Sequence, residues 1–366
     1  GRIDNKENIK SKLDIKDNDI NDEVIFYKSY LKWGNQLGNH IVGSFVCLLF
    51  DRLKSKGIII KDHIGSKPLY FSFINKSLVF SNNITAIRNS SQKADDINQD
   101  RIRDYVIYLH GKSGDTFYKN IKKLQRAEIL TIENENIAVK KYFRFDTNKV
   151  STFSDINECS EAFEELFIKI IKEQSHGLEK VGSKLSGGID SSSITAILAK
   201  YSNAETISYS ALFKNLNAED FKKTDEKEFM DSVIKRSKIQ NKKVYIDSLE
   251  IDPFAYIDDS EYSEVTPHAN RYFEVLLLEA ASKDGIKVLF DGFDGDSVLS
   301  YGYEHLNELG SKFKLFKLID EAKKLSKNKS VRNIFKDHVL IPYLPNNLIS
   351  RIKFYKNKDY FQNRLK

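Results

Sequence analysis

The chain has 366 residues, 40% apolar and 30% charged, with 58 Lys/Arg against 52 Asp/Glu. That length permits two domains with a core each, no apolar run approaches the roughly 18–20 residues of a membrane helix, and no signal-peptide pattern opens the sequence. Two cysteines, Cys47 and Cys159, exclude a disulfide framework and lack metal-ligand spacing, so a cytoplasmic protein is expected.

The opening Gly1-Arg2-Ile3-Asp4-Asn5 reads as the middle of an element, and Met230 is the only methionine, so the sequence is expected to be a fragment. Residues 22–32 have helical spacing. Strand-like runs follow at 44–50, 57–61, 68–73 and 77–81, then a helix near 101–109, then a hairpin of 128–132 and 137–143. Short strands in series predict an antiparallel, layered domain. The polar stretch 146–155 is the expected boundary between domains at 1–147 and 157–366. Beyond it strands and helices alternate: helix 158–175, strand 181–185, helix 192–201, strand 206–212, helix 227–238, strand 243–247, helix 272–283 and strand 287–291. That rhythm predicts a parallel sheet with helices on both faces, a doubly wound α/β domain. Residues 311–366 hold 15 Lys/Arg against 4 Asp/Glu. The apolar spacing of Phe313, Leu315, Phe316, Leu318 and Ile319 places those lysines on solvated helix faces, and no nucleic-acid motif accompanies them. Neither nucleic acid nor a membrane is an expected partner.

The chemistry concentrates at Leu185-Ser186-Gly187-Gly188-Ile189-Asp190-Ser191-Ser192, between a predicted strand and a predicted helix. Gly187 and Gly188 allow positive φ and close approach of a phosphate. The amides that open the next helix suit an anion, and Ser186, Ser191 and Ser192 add hydroxyl donors. Asp190 would repel a bare phosphate, which implies a divalent cation, and Mg²⁺ takes such a carboxylate-plus-phosphate set. A Walker loop would need Gly-Lys-Ser/Thr, and a Rossmann fingerprint a third glycine; neither is present. A second loop, Asp291-Gly292-Phe293-Asp294-Gly295-Asp296-Ser297, follows another predicted strand and crowds three carboxylates. Asp190 and Asp296 are the candidate metal ligands.

The Ser-Gly-Gly-Ile-Asp-Ser-Ser loop resembles that of the N-type ATP-pyrophosphatases, and the preceding domain is similar to the glutaminase half of the asparagine synthetases. The similarity is carried by Asp62-His63-Ile64-Gly65-Ser66-Lys67-Pro68-Leu69-Tyr70, by Phe80-Ser81-Asn82-Asn83-Ile84, and by Thr116-Phe117-Tyr118 with Ile121 and Leu124. The resemblance implies an incomplete N-terminal α/β/β/α layered domain of the Ntn-hydrolase type. It implies a C-terminal sheet like the adenine nucleotide alpha hydrolases. It further implies ATP and Mg²⁺ as cofactors, and amide formation through an acyl-adenylate with release of pyrophosphate. Aspartate is the leading carboxylate substrate, with glutamine or ammonia as nitrogen donor; a peptide carboxylate is the alternative.

By the same resemblance, Leu185, Ser186, Gly187, Gly188, Asp190, Ser191, Ser192 and Gly292 match ATP or pyrophosphate positions. Asp190 and Asp296 match metal-facing positions, strand 206–212 is expected beside the adenine, and Asn5 matches an oxyanion-type position of the glutaminase. The chain also departs from the family. Gly1 offers no nucleophile and Asn21 stands where a substrate-binding Asp belongs, so glutamine hydrolysis by this chain is not expected. In the second loop Phe293 and Ser297 replace acids, and no downstream lysine segment is recognisable. Those departures leave open an intramolecular amide-forming cyclase of the same fold (β-lactam synthetase or lasso-peptide cyclase type), and an ATP-binding scaffold. Cys47 is expected in a core, Cys159 as an inert thiol and His63 in a structural role. Asp225-Glu226 is read either as a helix cap or as a carboxylate pair beside the nucleotide.

Overall fold

A computed structural model describes residues 1–17, 20–74, 77–90, 96–107, 113–133, 136–146, 149, 151–213, 226–246, 271–298, 304–325, 330–336, 344 and 348. The chain divides into two compact units, Gly1–Asp291 and Gly292–Lys366.

In the first unit, β3 (Val46–Asp51), β4 (Lys56–Lys61), β8 (Glu128–Glu133) and β9 (Asn136–Lys141) form an antiparallel sheet in the order β3-β4-β8-β9. The run Ile58-Ile59-Ile60 shows why β4 is internal: alternate side chains point to opposite faces, and all three are buried. Ile58 and Ile60 join Ile9 of α1 (Lys6–Lys12) and Ile25 and Phe26 of α2 (Asp22–Trp33). Ile59 turns to Leu69, Phe71 and Leu124 on the side of a second sheet, β6-β5-β7 (Ser77–Ser81, Tyr70–Ile74, Ile121–Lys123). The far face of that sheet packs Tyr70 and Ile121 on Ile84 and Ile87 of α3 (Ile84–Arg88). Helix, sheet, sheet and helix therefore stack as four layers. A short pair, β1 (Arg2–Ile3) with β2 (Gly43–Ser44), and α4 (Gln99–Val106) complete this part.

The later segments of the same unit form the expected parallel sheet, in the order β12-β11-β10-β13. Its strands are β10 (Lys180–Lys184), β11 (Glu205–Leu212), β12 (Gln240–Tyr245) and β13 (Leu289–Phe290). One face packs Val181 and Phe290 on Ile171 of α5 (Ile156–Ser175) and Leu198 of α6 (Ile189–Tyr201). The other packs Ile207 and Tyr209 on Leu277 and Ala281 of α8 (Arg271–Lys283), while α7 (Lys227–Ser237) lies against α6. Chain order runs outward from β10 in both directions, so a topological switch point lies between β10 and β13, where an open α/β sheet leaves a crevice at the carboxyl ends of its strands. Where the sequence signals an element, its predicted and observed ends differ by a few residues, but α1, α3 and β7 are not among the predicted elements. The informative difference is α6, which begins at Ile189 rather than 192, so that Asp190 and Ser191 occupy its first turn.

In the second unit, Leu306 and Leu309 of α10 (Glu304–Ser311) pack on Leu318 and Ala322 of α11 (Leu315–Lys324) and Ile334 of α12 (Val331–Phe335). The lysines of α11 lie away from that core: Lys323 and Lys324 are exposed and Lys324 pairs with Asp320 at 2.7 Å. Of the apolar residues whose spacing predicts a buried face, Leu318 enters the core while Phe313, Leu315, Phe316 and Ile319 are exposed.

Candidate active site

The glycine loop leaves the carboxyl end of β10 anchored at Leu185. The Leu185 side chain is buried, its amide donates to Tyr209 O at 2.9 Å, and its carbonyl accepts from Ser210 Oγ at 2.6 Å. The loop then closes on itself. The Gly188 amide donates to Ser186 Oγ (3.2 Å), the Ser186 amide donates to Ser191 Oγ (3.2 Å), and Ser191 Oγ donates to Gly188 O (3.1 Å). Gly187 has φ +106°, where a side chain is strained, and a Cβ there would stand 2.5 Å from Glu226 O. Glycine is thus required twice, by conformation and by the close passage of the residue that precedes α7.

Gly188 caps α6 without a side-chain bond. The amides of Ile189, Asp190 and Ser191 find no acceptor among the described residues, as the first turn of a helix dictates. Three serine and glycine groups therefore shape the loop while those amides remain at the positive end of the helix. Asp190 is half-buried in that turn and has no hydrogen-bond or ion-pair partner among the described residues; Ser192 Oγ is buried without one. A free carboxylate beside an anion-binding helix end fits the donor set of Mg²⁺ with a phosphate ligand. No cluster of three or more His, Cys, Asp or Glu able to hold a metal by itself occurs among the described residues.

Beside the loop opens a cavity of about 350 Å³, within the size range of small-molecule sites. Ser186 and Glu226 stand at its loop side, and Tyr209, Ala211 and Leu212 of β11 line its sheet side. Phe213 and Phe273 meet edge to face with centroids 5.4 Å apart, and Tyr245 and Leu277 complete an aromatic and apolar wall. Such a wall suits a planar ring. Beneath it, Tyr209 Oη donates to Asp284 Oδ2 at 2.7 Å and Lys242 pairs with the other Asp284 oxygen. These hydrogen bonds, Lys242 first and Tyr209 next, hold the Asp284 carboxyl below its usual range; burial first, and then Asp284, raises the Tyr209 phenol. On the opposite face a polar seam backs the loop: Ser183 and Thr195 share a 2.6 Å bond, and Asn241 Nδ2 donates to Ser208 and Ser210.

Of the residues singled out in the sequence, Leu185 through Ser192 gather at this one loop. Glu226 reaches it as well, and is compatible with both readings of the 225–226 pair: it caps α7, without a side-chain bond, and it sits over Gly187 and lines the cavity, while Asp225 lies outside the described residues. Gly292 and Asp296 belong to the second unit. The Gly292 carbonyl accepts from Gly295 N at 3.2 Å, and Asp296 falls in α9 (Gly295–Val298) with its side chain outside the described residues. Asn5 donates to His40 O and accepts from Val42 N, each at 2.9 Å, which engages both ends of its amide. Asn21 is exposed ahead of α2. His63 packs edge-on against Tyr142 and Phe143, and burial lowers its pKa. Cys47 packs against the first core, where burial pushes its thiol up to about 12. The sequence did not signal Lys184, Phe273 or Glu274, which converge on the cavity from distant segments.

Residues 1–143 match the family model of the glutamine amidotransferase domain, and residues 162–356 match that of asparagine synthase. A putative asparagine synthetase [glutamine-hydrolyzing] 2 of Methanocaldococcus jannaschii is 24% identical over 316 residues, which cover 84% of this chain and 59% of that protein. Asparagine synthetase [glutamine-hydrolyzing] 3 of Bacillus subtilis is 26% identical over 212 residues, 56% of this chain and 34% of that protein. Among solved structures, the NH3-dependent NAD synthetase of Campylobacter jejuni covers 56% of this chain and 96% of its own, at 18% identity and a TM-score of 0.30. That score is too low to carry an argument. The chain spans less than two thirds of the length of the curated relatives it matches. With the asparagine synthase model matching more than half of its length, over the parallel sheet and its glycine loop, the chain belongs to the asparagine synthase family.

Proposed function

We propose that this chain carries the synthetase site of an ATP-dependent amide-forming enzyme, with ATP held between the glycine loop and the adjoining cavity. One observation carries the reading: the free amides at the head of α6 and an aromatic cavity open side by side at the carboxyl edge of one parallel sheet. The phosphates would sit at Ser186–Ser192, and the adenine would lie against Leu212, Phe213 and Phe273. The boundary between a glutaminase-like part (1–147) and the synthetase part (157–366) belongs to the same proposal.

A substrate carboxylate attacks the α-phosphorus, the bond to the β-phosphate oxygen breaks, and pyrophosphate leaves with the electron pair. An amine then attacks the acyl carbon of the adenylate, loses a proton, and expels AMP to give the amide. Mg²⁺ held at Asp190 would neutralise charge on the phosphates during the first step. The loop's own share is electrostatic: fixed N–H dipoles meet charge that grows on the departing pyrophosphate. Aspartate is the leading acceptor, with ammonia or glutamine as nitrogen source.

The second reading, an intramolecular cyclase, is favoured by Phe293, which is 71% exposed and cannot move a proton where the resemblance to asparagine synthetases implies an acid. ATP–pyrophosphate exchange, measured with aspartate and with a panel of β-amino acids and peptides, separates the two. Exchange stimulated by aspartate alone supports the first reading, and exchange stimulated only by the other carboxylates supports the second. Asp190→Ala is expected to lower exchange by a factor of about 100 or more while the circular dichroism spectrum is kept. Undiminished exchange in that variant rejects the mechanism.

A further inference from the structure

Lys184 closes β10, one residue before the anchor of the glycine loop, and its side chain is only 17% exposed. The register that pairs Ser183 with Phe290 puts Lys184 beside Asp291 across the switch point. Its ammonium lies 3.3 Å from the Asp291 carboxylate and makes a close ion pair with Glu274 of α8. Glu274 and Asp291 are themselves 49% and 40% exposed, so both carboxylates stand at the mouth of the crevice. Lys184 and Glu274 also line the cavity, together with Glu226 and Lys227.

The charges conflict with an anionic ligand. A polyphosphate bound at the loop would meet the carboxylates of Glu274 and Asp291 as like charges. Lys184 touches both.

We propose that Lys184 is a positioning residue for the nucleotide, pinning Glu274 and Asp291 and offsetting part of their negative field so that the cavity tolerates an anionic ligand. The proposal rests on the reading of this cavity as an ATP site. It assigns Lys184 no part in bond making. Its effect therefore scales with the charge of the ligand, and a purely structural lysine would affect every ligand alike.

The test compares Kd for ATP, AMP and adenosine in the full chain by calorimetry at low salt. Lys184→Met is expected to weaken ATP about tenfold, AMP less and adenosine hardly at all, with the ATP defect shrinking as salt is raised. Lys184→Arg should bind ATP within about twofold of wild type, and Lys184→Met with Glu274→Gln should recover part of the loss. Glu274→Gln alone, on an exposed side chain that leaves the sheet intact, should tighten ATP severalfold without changing adenosine; it serves also if Lys184→Met does not fold. Equal losses for ATP and adenosine, or no change in either single variant, overturn the proposal. A wild-type chain that binds neither ATP nor adenosine instead overturns the nucleotide reading beneath it.

Discussion

At the scale of single residues, function and stability pull on different side chains. Gly187 is held by the loop's needs: Gly187→Ala adds a Cβ at φ +106° directly against Glu226. The strain is on the order of 1–3 kcal/mol, and relief requires moving either the loop or the start of α7. ATP–pyrophosphate exchange is expected to fall at least about tenfold, while urea denaturation shows a loss no larger than that strain. Lys61 answers to burial instead. It is 2% exposed, its ammonium donates to Leu124 O at 3.1 Å, and burial drives its pKa down to about 8. The unfolded chain keeps that lysine protonated to near its ordinary value, so between the two values it binds more protons than the native state. Native stability contributed by Lys61 therefore rises with pH from about 8 upward, by about 3 kcal/mol across the window. Unfolding free energies of wild type and Lys61→Met, measured from pH 7 to 10, should diverge in slope only above about pH 8.

At the scale of elements, periodicity located the strands and helices because burial follows it. The run 57–61 marked a strand, which the fold then covers on both faces, and the alternation beyond residue 157 marked a parallel sheet. The glycine loop was legible for a similar reason: glycines, serines and an Asp at a strand-to-helix turn have few other uses. What the sequence hid was the far wall of the cavity. Lys184 meets Glu274 and Asp291 at separations of 90 and 107 residues, and no local pattern announces such pairs. The start of α6 was misplaced because Ile189, 80% exposed, breaks the amphipathic spacing of its own first turn. Tyr209 illustrates a tie between elements. Its bond to Asp284 links the middle strand to the turn after α8, and Lys242 of β12 joins them. Tyr209→Phe keeps the ring in the cavity and removes the bond, and is expected to cost about 1–3 kcal/mol in urea denaturation.

For the whole molecule, a ligand that binds only the folded state raises stability by mass action. If the loop and cavity bind Mg-ATP, about 100 times Kd of it adds about 2.7 kcal/mol, seen as a rise in Tm that Asp190→Ala should largely abolish. None of the helices among the described residues is long and apolar enough to cross a membrane. The passage of Glu226 across Gly187 has one more consequence. The glycine loop and the residue that opens α7 are in direct contact, so a nucleotide that orders the loop is expected to damp the opening of the first turn of α7. Amide hydrogen exchange at Met230, whose N–H donates to Glu226 O at 3.0 Å, should then slow when nucleotide binds the loop. Met230 does not itself line the cavity, so protection of its amide would report the fastening of α7 through Glu226.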